Sequence, residues 1–146
     1  MKKILFLFLL AGVFYACKKD KIGTKPILSF KGYSLDSVVA STQQVGISLN
    51  VEDGDGDIED SLWIAPLFDS RGPAQDTLFD KKKMPGIGAN RGNSVKAEVV
   101  ISLISTEFKL EQRTVDDSIH WVIFVRDNSG NISDTIATPK LPYNVP

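Results

Sequence analysis

Hydrophobic and polar residues alternate with a period of two along three stretches of the chain. Val45, Ile47, Leu49 and Val51 are separated by Gly46, Ser48 and Asn50. Val95, Ala97, Val99, Ile101 and Leu103 repeat the pattern, with Lys96, Glu98 and Ser102 between them. Ile119, Trp121, Ile123 and Val125 do so a third time. Alternation of this kind puts every second side chain on one face of an extended segment, so it predicts half-buried β-strands. Shorter runs at residues 27–33, 62–68, 77–79 and 132–138 raise the expected number to seven. Gly, Asp, Asn and Pro clusters separate these runs. After Ala16 only residues 106–112 carry the spacing of a single helical turn. The pattern predicts an all-β chain folded as a sandwich of two sheets.

The first residues obey a different rule. Lys2 and Lys3 precede a continuous apolar run of 13 residues at 4–16, which stops at Cys17. A basic start followed by an apolar stretch of this length reads as an export signal, shorter than the roughly 20 residues a membrane-spanning helix needs. The sequence Phe14, Tyr15, Ala16, Cys17 resembles the lipobox of bacterial lipoproteins, in the loose form found in Bacteroidota. That resemblance implies a signal peptide at residues 1–16, cleavage before Cys17, and lipid attached to Cys17. The membrane would then be a partner through that lipid, in the outer membrane of a Gram-negative bacterium. Residues 17–25 read as the lipidated cysteine and a polar, flexible tether. Lys18, Lys19 and Asp20 partly resemble an export signal of the same bacteria, so periplasmic and surface positions both stay open. Residues 26–146 are left as the folded domain.

Charge and cysteine content narrow the picture. Cys17 is the only cysteine, so no disulfide can form within the chain and the fold must stand on packing. Without Lys2 and Lys3, 15 basic residues face 18 acidic ones. A net acidic domain argues against nucleic acid as a partner.

Residues 121–133, WVIFVRDNSGNIS, run an alternating strand into a D-x-x-G-N-x-S turn. Together with residues 53–61 they resemble immunoglobulin-like domains in uncharacterised lipoproteins of Bacteroidota. The implied fold is an immunoglobulin-like β-sandwich of about seven strands. In that fold the connection after the second strand and the one after the sixth emerge at the same end. Asp53, Asp55 and Asp57 are therefore expected to converge with Asp127 or Asn128.

This convergence gives the one chemical candidate. Residues 51–60, VEDGDGDIED, hold six carboxylates and no Lys or Arg. Calcium takes about six to eight oxygens, and interleaved glycines let a loop wrap carboxylates around an ion. Asp53, Asp55, Asp57 and Asp127 are the candidate ligands, with calcium as the candidate cofactor. The run is not an EF-hand, because the template's glycine position holds Ile58 and its closing glutamate position holds Ile64. The competing reading is a solvated turn whose charge is offset by Arg126.

Other features point away from catalysis. His120 is the only histidine and is expected on the strand face opposite Trp121. Phosphate-loop spacings fail around Gly86 and Gly88. Lys81, Lys82, Lys83 and Arg91 read as one long solvated loop. Trp63, Trp121, Phe68, Phe79 and Tyr143 are candidate sugar platforms, Trp63 and Trp121 being expected to pack from their strands. Val122 and Phe124 leave the sixth strand apolar on both faces, with residues 141–143 as the expected cover. The expected function is a non-catalytic, envelope-anchored binding or accessory module for a protein or glycan. The alternative is a structural spacer or subunit with no ligand of its own.

Overall fold

The computed structural model describes residues 23–88, 91–108 and 115–144. The expected leader, Cys17 and most of the tether lie outside the described residues. Among the described residues eight strands form: β1 Ile27–Tyr33, β2 Gln44–Asp53, β3 Ser61–Phe68, β4 Asp80–Lys83, β5 Val95–Ile104, β6 Asp117–Arg126, β7 Ile136–Ala137 and β8 Leu141–Tyr143. A four-residue helix, α1 Ser105–Phe108, follows β5. One antiparallel sheet has the order β1-β2-β5. The other runs β4-β3-β6, with β7 and β8 each paired to the far side of β6. First, second and fifth strands facing third and sixth is the arrangement of an immunoglobulin-like β-sandwich.

The alternation read from the sequence is the alternation of burial. Val45, Ile47, Leu49 and Val51 of β2 and Ile119, Trp121, Ile123 and Val125 of β6 are all fully buried in one core. Each such side chain contributes about 1.5–3 kcal/mol when taken from water. Gly46 has a steric reason to interrupt β2. A Cβ there would meet the Ser34 Cβ at 3.0 Å, where Ser34 donates to the Gly46 carbonyl and its Oγ accepts the Gly46 N–H at 2.8 Å.

Three expectations are corrected. Residues 77–79 are not a strand; the strand is β4, built from the lysines expected in a loop. It is an edge strand held by β3 alone, a position where lysine is well tolerated. Its side chains also have partners, since Lys81 lies over the Trp63 ring at 5.7 Å and Lys82 pairs with Glu107. The expected strand at 132–138 shrinks to β7, with Ile132 in a lone bridge to Arg126. Side-chain hydroxyls take ladder positions on either side of β7. Ser133 Oγ accepts the Val125 N–H at 3.0 Å, and Thr138 Oγ1 accepts the Trp121 N–H at 2.8 Å. Finally, residues 141–143 do not cover the outer face of β6. They form β8, with Leu141 and Tyr143 turned into the core. The outer face is covered instead by Phe79, edge-on to Phe124 at 5.1 Å, and by Trp63, stacked on Phe124 at 5.8 Å.

Glu107 ties α1 to β4, and so one sheet's edge to the other. It accepts the Ile104 N–H at 2.8 Å and pairs with Lys82. Burial pushes its carboxyl upward, but the Lys82 hydrogen bond, the Ile104 N–H and the Lys82 charge outweigh burial and hold it below the usual range. A lowered carboxyl adds stability above its unfolded-state value and loses it as pH falls through the folded-state value. Glu107→Gln is expected to cost about 1 kcal/mol at pH 7. Denaturant unfolding as a function of pH should show that difference shrinking as pH drops below the ordinary glutamate range.

Candidate functional site

β2 ends at Asp53, which pairs with Val95 of β5. The chain then turns through Gly56, whose φ of 69° is left-handed and favours glycine. The Asp57 N–H returns to Asp53 Oδ2 at 2.9 Å and closes the loop. Ile58, fully buried, nails the far side of the loop into the core. On the neighbouring connection, β6 leads into Asp127. Asn131 donates its N–H to Asp127 Oδ1 at 2.7 Å and its Nδ2 to Oδ2 at 2.8 Å. Gly130, at φ 93°, makes that turn possible. The loops are stitched together, because Asn128 N–H donates to the Asp57 carbonyl at 2.9 Å and Ser129 Oγ to Asp57 Oδ2.

The four aspartates singled out from the sequence do converge. Asp53, Asp55, Asp57 and Asp127 each offer a carboxylate oxygen within 4.8 Å of the others. Asp53, Asp57 and Asp127 are buried, at 0%, 4% and 1% exposure. The other three carboxylates of residues 51–60 face elsewhere. Glu52 pairs with Lys96 at 2.7 Å, Glu59 accepts the Ile87 N–H, and Asp60 accepts from Ser61. Asn128 joins through its backbone rather than its side chain. Arg126 is exposed, and among the described residues no Lys or Arg is ion-paired with any of the four aspartates.

Charges this close repel strongly away from bulk water. At an effective dielectric of about 20, two of them about 5 Å apart cost about 3 kcal/mol. Several such pairs rival the roughly 5–15 kcal/mol by which a whole domain is stable. Asp55 registers the strain: burial, then the charges of Asp53, Asp57 and Asp127, push its carboxyl above the usual range. An oxygen-only donor set of this kind suits a hard cation and lacks the nitrogen or sulfur that transition metals favour.

A second feature carries no sequence motif. A pocket of about 430 Å³ opens at the other end of β3 and β6, lined by Leu67, Asp69, Pro73, Thr77, His120 and Lys140 among others. Lys140 pairs with Asp69 at 2.6 Å, and His120 Nδ1 lies 3.8 Å from Asp69 Oδ1. Gln75 holds the pocket's loop by mimicking a strand. Its Oε1 accepts the Phe68 N–H at 3.0 Å, and its Nε2 donates to the Phe68 and Gly72 carbonyls. His120 does point away from buried Trp121, but it is mostly buried in this pocket rather than lying open on the strand surface. Of the candidate sugar platforms, Trp121, Phe68 and Tyr143 belong to the core, whereas Trp63 and Phe79 lie on the outer face beside Phe124. Asp69, His120 and Lys140 are too far apart in sequence, on three different elements, for spacing to have announced them.

The two sites occupy opposite poles. β1 begins at the acidic pole, where Asn131 Nδ2 donates to the Thr24 carbonyl at 3.2 Å and Lys25 pairs with Asp134 at 2.6 Å. Ser61 and Leu67 lie six residue steps apart on β3, about 20 Å of strand.

No family model matches the chain, and no curated protein matches it. Among solved structures, it is similar to the crystal structure of a Niemann-Pick type C2 protein from the Japanese carpenter ant. Identity is 12%, over 86% of this chain and 97% of that one, with a TM-score of 0.43. A likeness of this order transfers neither a ligand nor a site.

Asn131 is the hinge pin of the acidic pole, since one side chain serves both Asp127 and Thr24. Asn131→Ala is expected to cost about 1–2 kcal/mol in equilibrium unfolding. Amide exchange near residue 24 should accelerate, while the core strands keep their protection.

Proposed function

We propose that this chain is a non-catalytic, lipid-anchored binding module of a Gram-negative cell envelope, tethered through Cys17 and recognising a glycan at the pocket of Asp69, His120 and Lys140. The observation that carries this reading is the opposition of the poles. The described chain begins beside the acidic loops, so an anchor preceding it would attach at the pole opposite the pocket.

The pocket's chemistry favours a hydroxyl-rich, nearly uncharged ligand. Asp69 accepts, Lys140 donates, and His120 does either, so paired hydroxyls can be met on both counts. Leu67 and Pro73 supply apolar wall for the ring carbons. About 430 Å³ lies within the range of small-molecule sites. The Gln75 clamp fixes the loop before any ligand arrives, which removes part of the ordering cost of binding.

The reading as a structural subunit also has one observation in its favour. β5 ends its sheet, with Val100 and Ile104 exposed on its outward side. Glycan-array screening of the full chain, alongside affinity capture from detergent-solubilised envelope, separates the two. The binding module is expected to select a glycan, and His120→Ala or Lys140→Ala to weaken it at least about tenfold, equivalent to about 1.4 kcal/mol. Silence on the array, with a stoichiometric protein partner in the capture, would establish the structural subunit instead.

A further inference from the structure

Acidic loops are common without ions, and the cluster at the tether pole would mean little if its carboxylates were satisfied or in water. They are neither. Asp53 and Asp57 are at least 96% buried, and each uses its two oxygens differently. Asp53 Oδ2 accepts the Asp57 N–H, and Asp57 Oδ2 accepts from Ser129. Oδ1 of Asp53 and Oδ1 of Asp57 are buried with no hydrogen-bond partner, as is Oδ1 of Asp55. A buried carboxylate oxygen left without a donor costs on the order of 1–3 kcal/mol or more. Three of them side by side in the same small space are not a stable arrangement of the protein alone.

We propose that Asp53, Asp55, Asp57 and Asp127 bind one calcium ion, and that the ion locks the loops of the tether pole and the incoming chain into a single unit. One oxygen of Asp53 and of Asp57 is oriented by a protein donor while the other is free, which is how ligands supported by surrounding hydrogen bonds are built. Asp127 is held through both oxygens by Asn131, and each oxygen keeps a further lone pair for an ion. Four carboxylates exceed the one or two that magnesium usually accepts within its water shell, and they suit calcium's larger, more flexible shell of six to eight oxygens. Water and backbone oxygens would complete that shell.

The locking follows from the hydrogen bonds that radiate from the four ligands. Gly92 N–H donates to the Asp55 carbonyl at 2.7 Å, bringing in the connection before β5. Asn128 N–H donates to the Asp57 carbonyl, linking the loop after β2 to the turn after β6. Asn131 carries the chain onward from Asp127 to Thr24. An ion that fixes the four carboxylates therefore fixes three connections and the first described residues together. This inference stands apart from the glycan reading, since the sites lie at opposite poles and either can fail alone.

The test begins with the full chain stripped of metal by chelator. Calorimetric titration with calcium alone should show one ion per chain. At about a hundredfold excess over the dissociation constant, calcium should raise the melting midpoint by roughly 10 °C. Magnesium at the same concentration should give less than about a third of that shift. Hydrogen exchange should slow about tenfold at the amides of Asp57, Gly92, Asn128 and Asn131 when calcium is added. Asp55→Asn should abolish the calcium response and raise the midpoint in chelator, because it removes one of the mutually repelling charges. Should that variant not fold, titration and exchange of the unmodified chain still decide the matter. No binding heat and no change in midpoint up to about 10 mM calcium would overturn the site, as would an equal response to magnesium. Binding without slowed exchange at those four amides would overturn the locking role.

Discussion

Apolar side chains on the inner faces of β2 and β6 share one core, and their register sets the position of everything outside it. Val45, Ile47, Leu49 and Val51 on one strand, and Ile119, Trp121, Ile123 and Val125 on the other, have no exposed surface at all. Side chains on a strand alternate strictly, so a slip of one residue would turn four of these to water and bring polar neighbours inside. At about 1.5–3 kcal/mol for each apolar side chain, that penalty is close to the whole stability of a domain. The register is thereby fixed without a disulfide, in a chain whose only cysteine lies before the domain.

A fixed register dictates what meets at the poles. β2 ends at Asp53 and β6 at Arg126, so the connections that follow leave from the same end of the sandwich. The same register brings like charges together there, and Ile58, fully buried, anchors the acidic loop to the core. At the other pole β3 and β6 carry Leu67 and His120 side by side on the outer face. A loop stapled by Gln75, rather than a hydrophobic layer, roofs that end and leaves a cavity under it. Rigid strands with one charged end and one hollow end are a direct outcome of the packing between them.

Strand-forming segments with period two were legible because burial and alternation are the same fact, and β2, β5 and β6 lie where the pattern puts them. The convergence of Asp53, Asp55, Asp57 and Asp127 was legible for a related reason: it follows from topology once the strand order is known. β4 escaped because an edge strand of lysines has no buried face to leave a pattern. The interruption of the last strands escaped because Ser133 and Thr138 read as ordinary strand residues until their hydroxyls are seen to replace backbone groups. The pocket of Asp69, His120 and Lys140 was invisible because it depends on where a loop and a β7–β8 connection cross the end of the sheet. No local preference encodes that crossing.

Those two hydroxyls also decide how the molecule behaves among copies of itself. By standing in for the ladder at Val125 and Trp121, the Ser133 and Thr138 hydroxyls leave β7 only two residues long. A passing strand finds no straight row of amides and carbonyls there to extend. This border therefore offers neighbouring copies little to zipper onto.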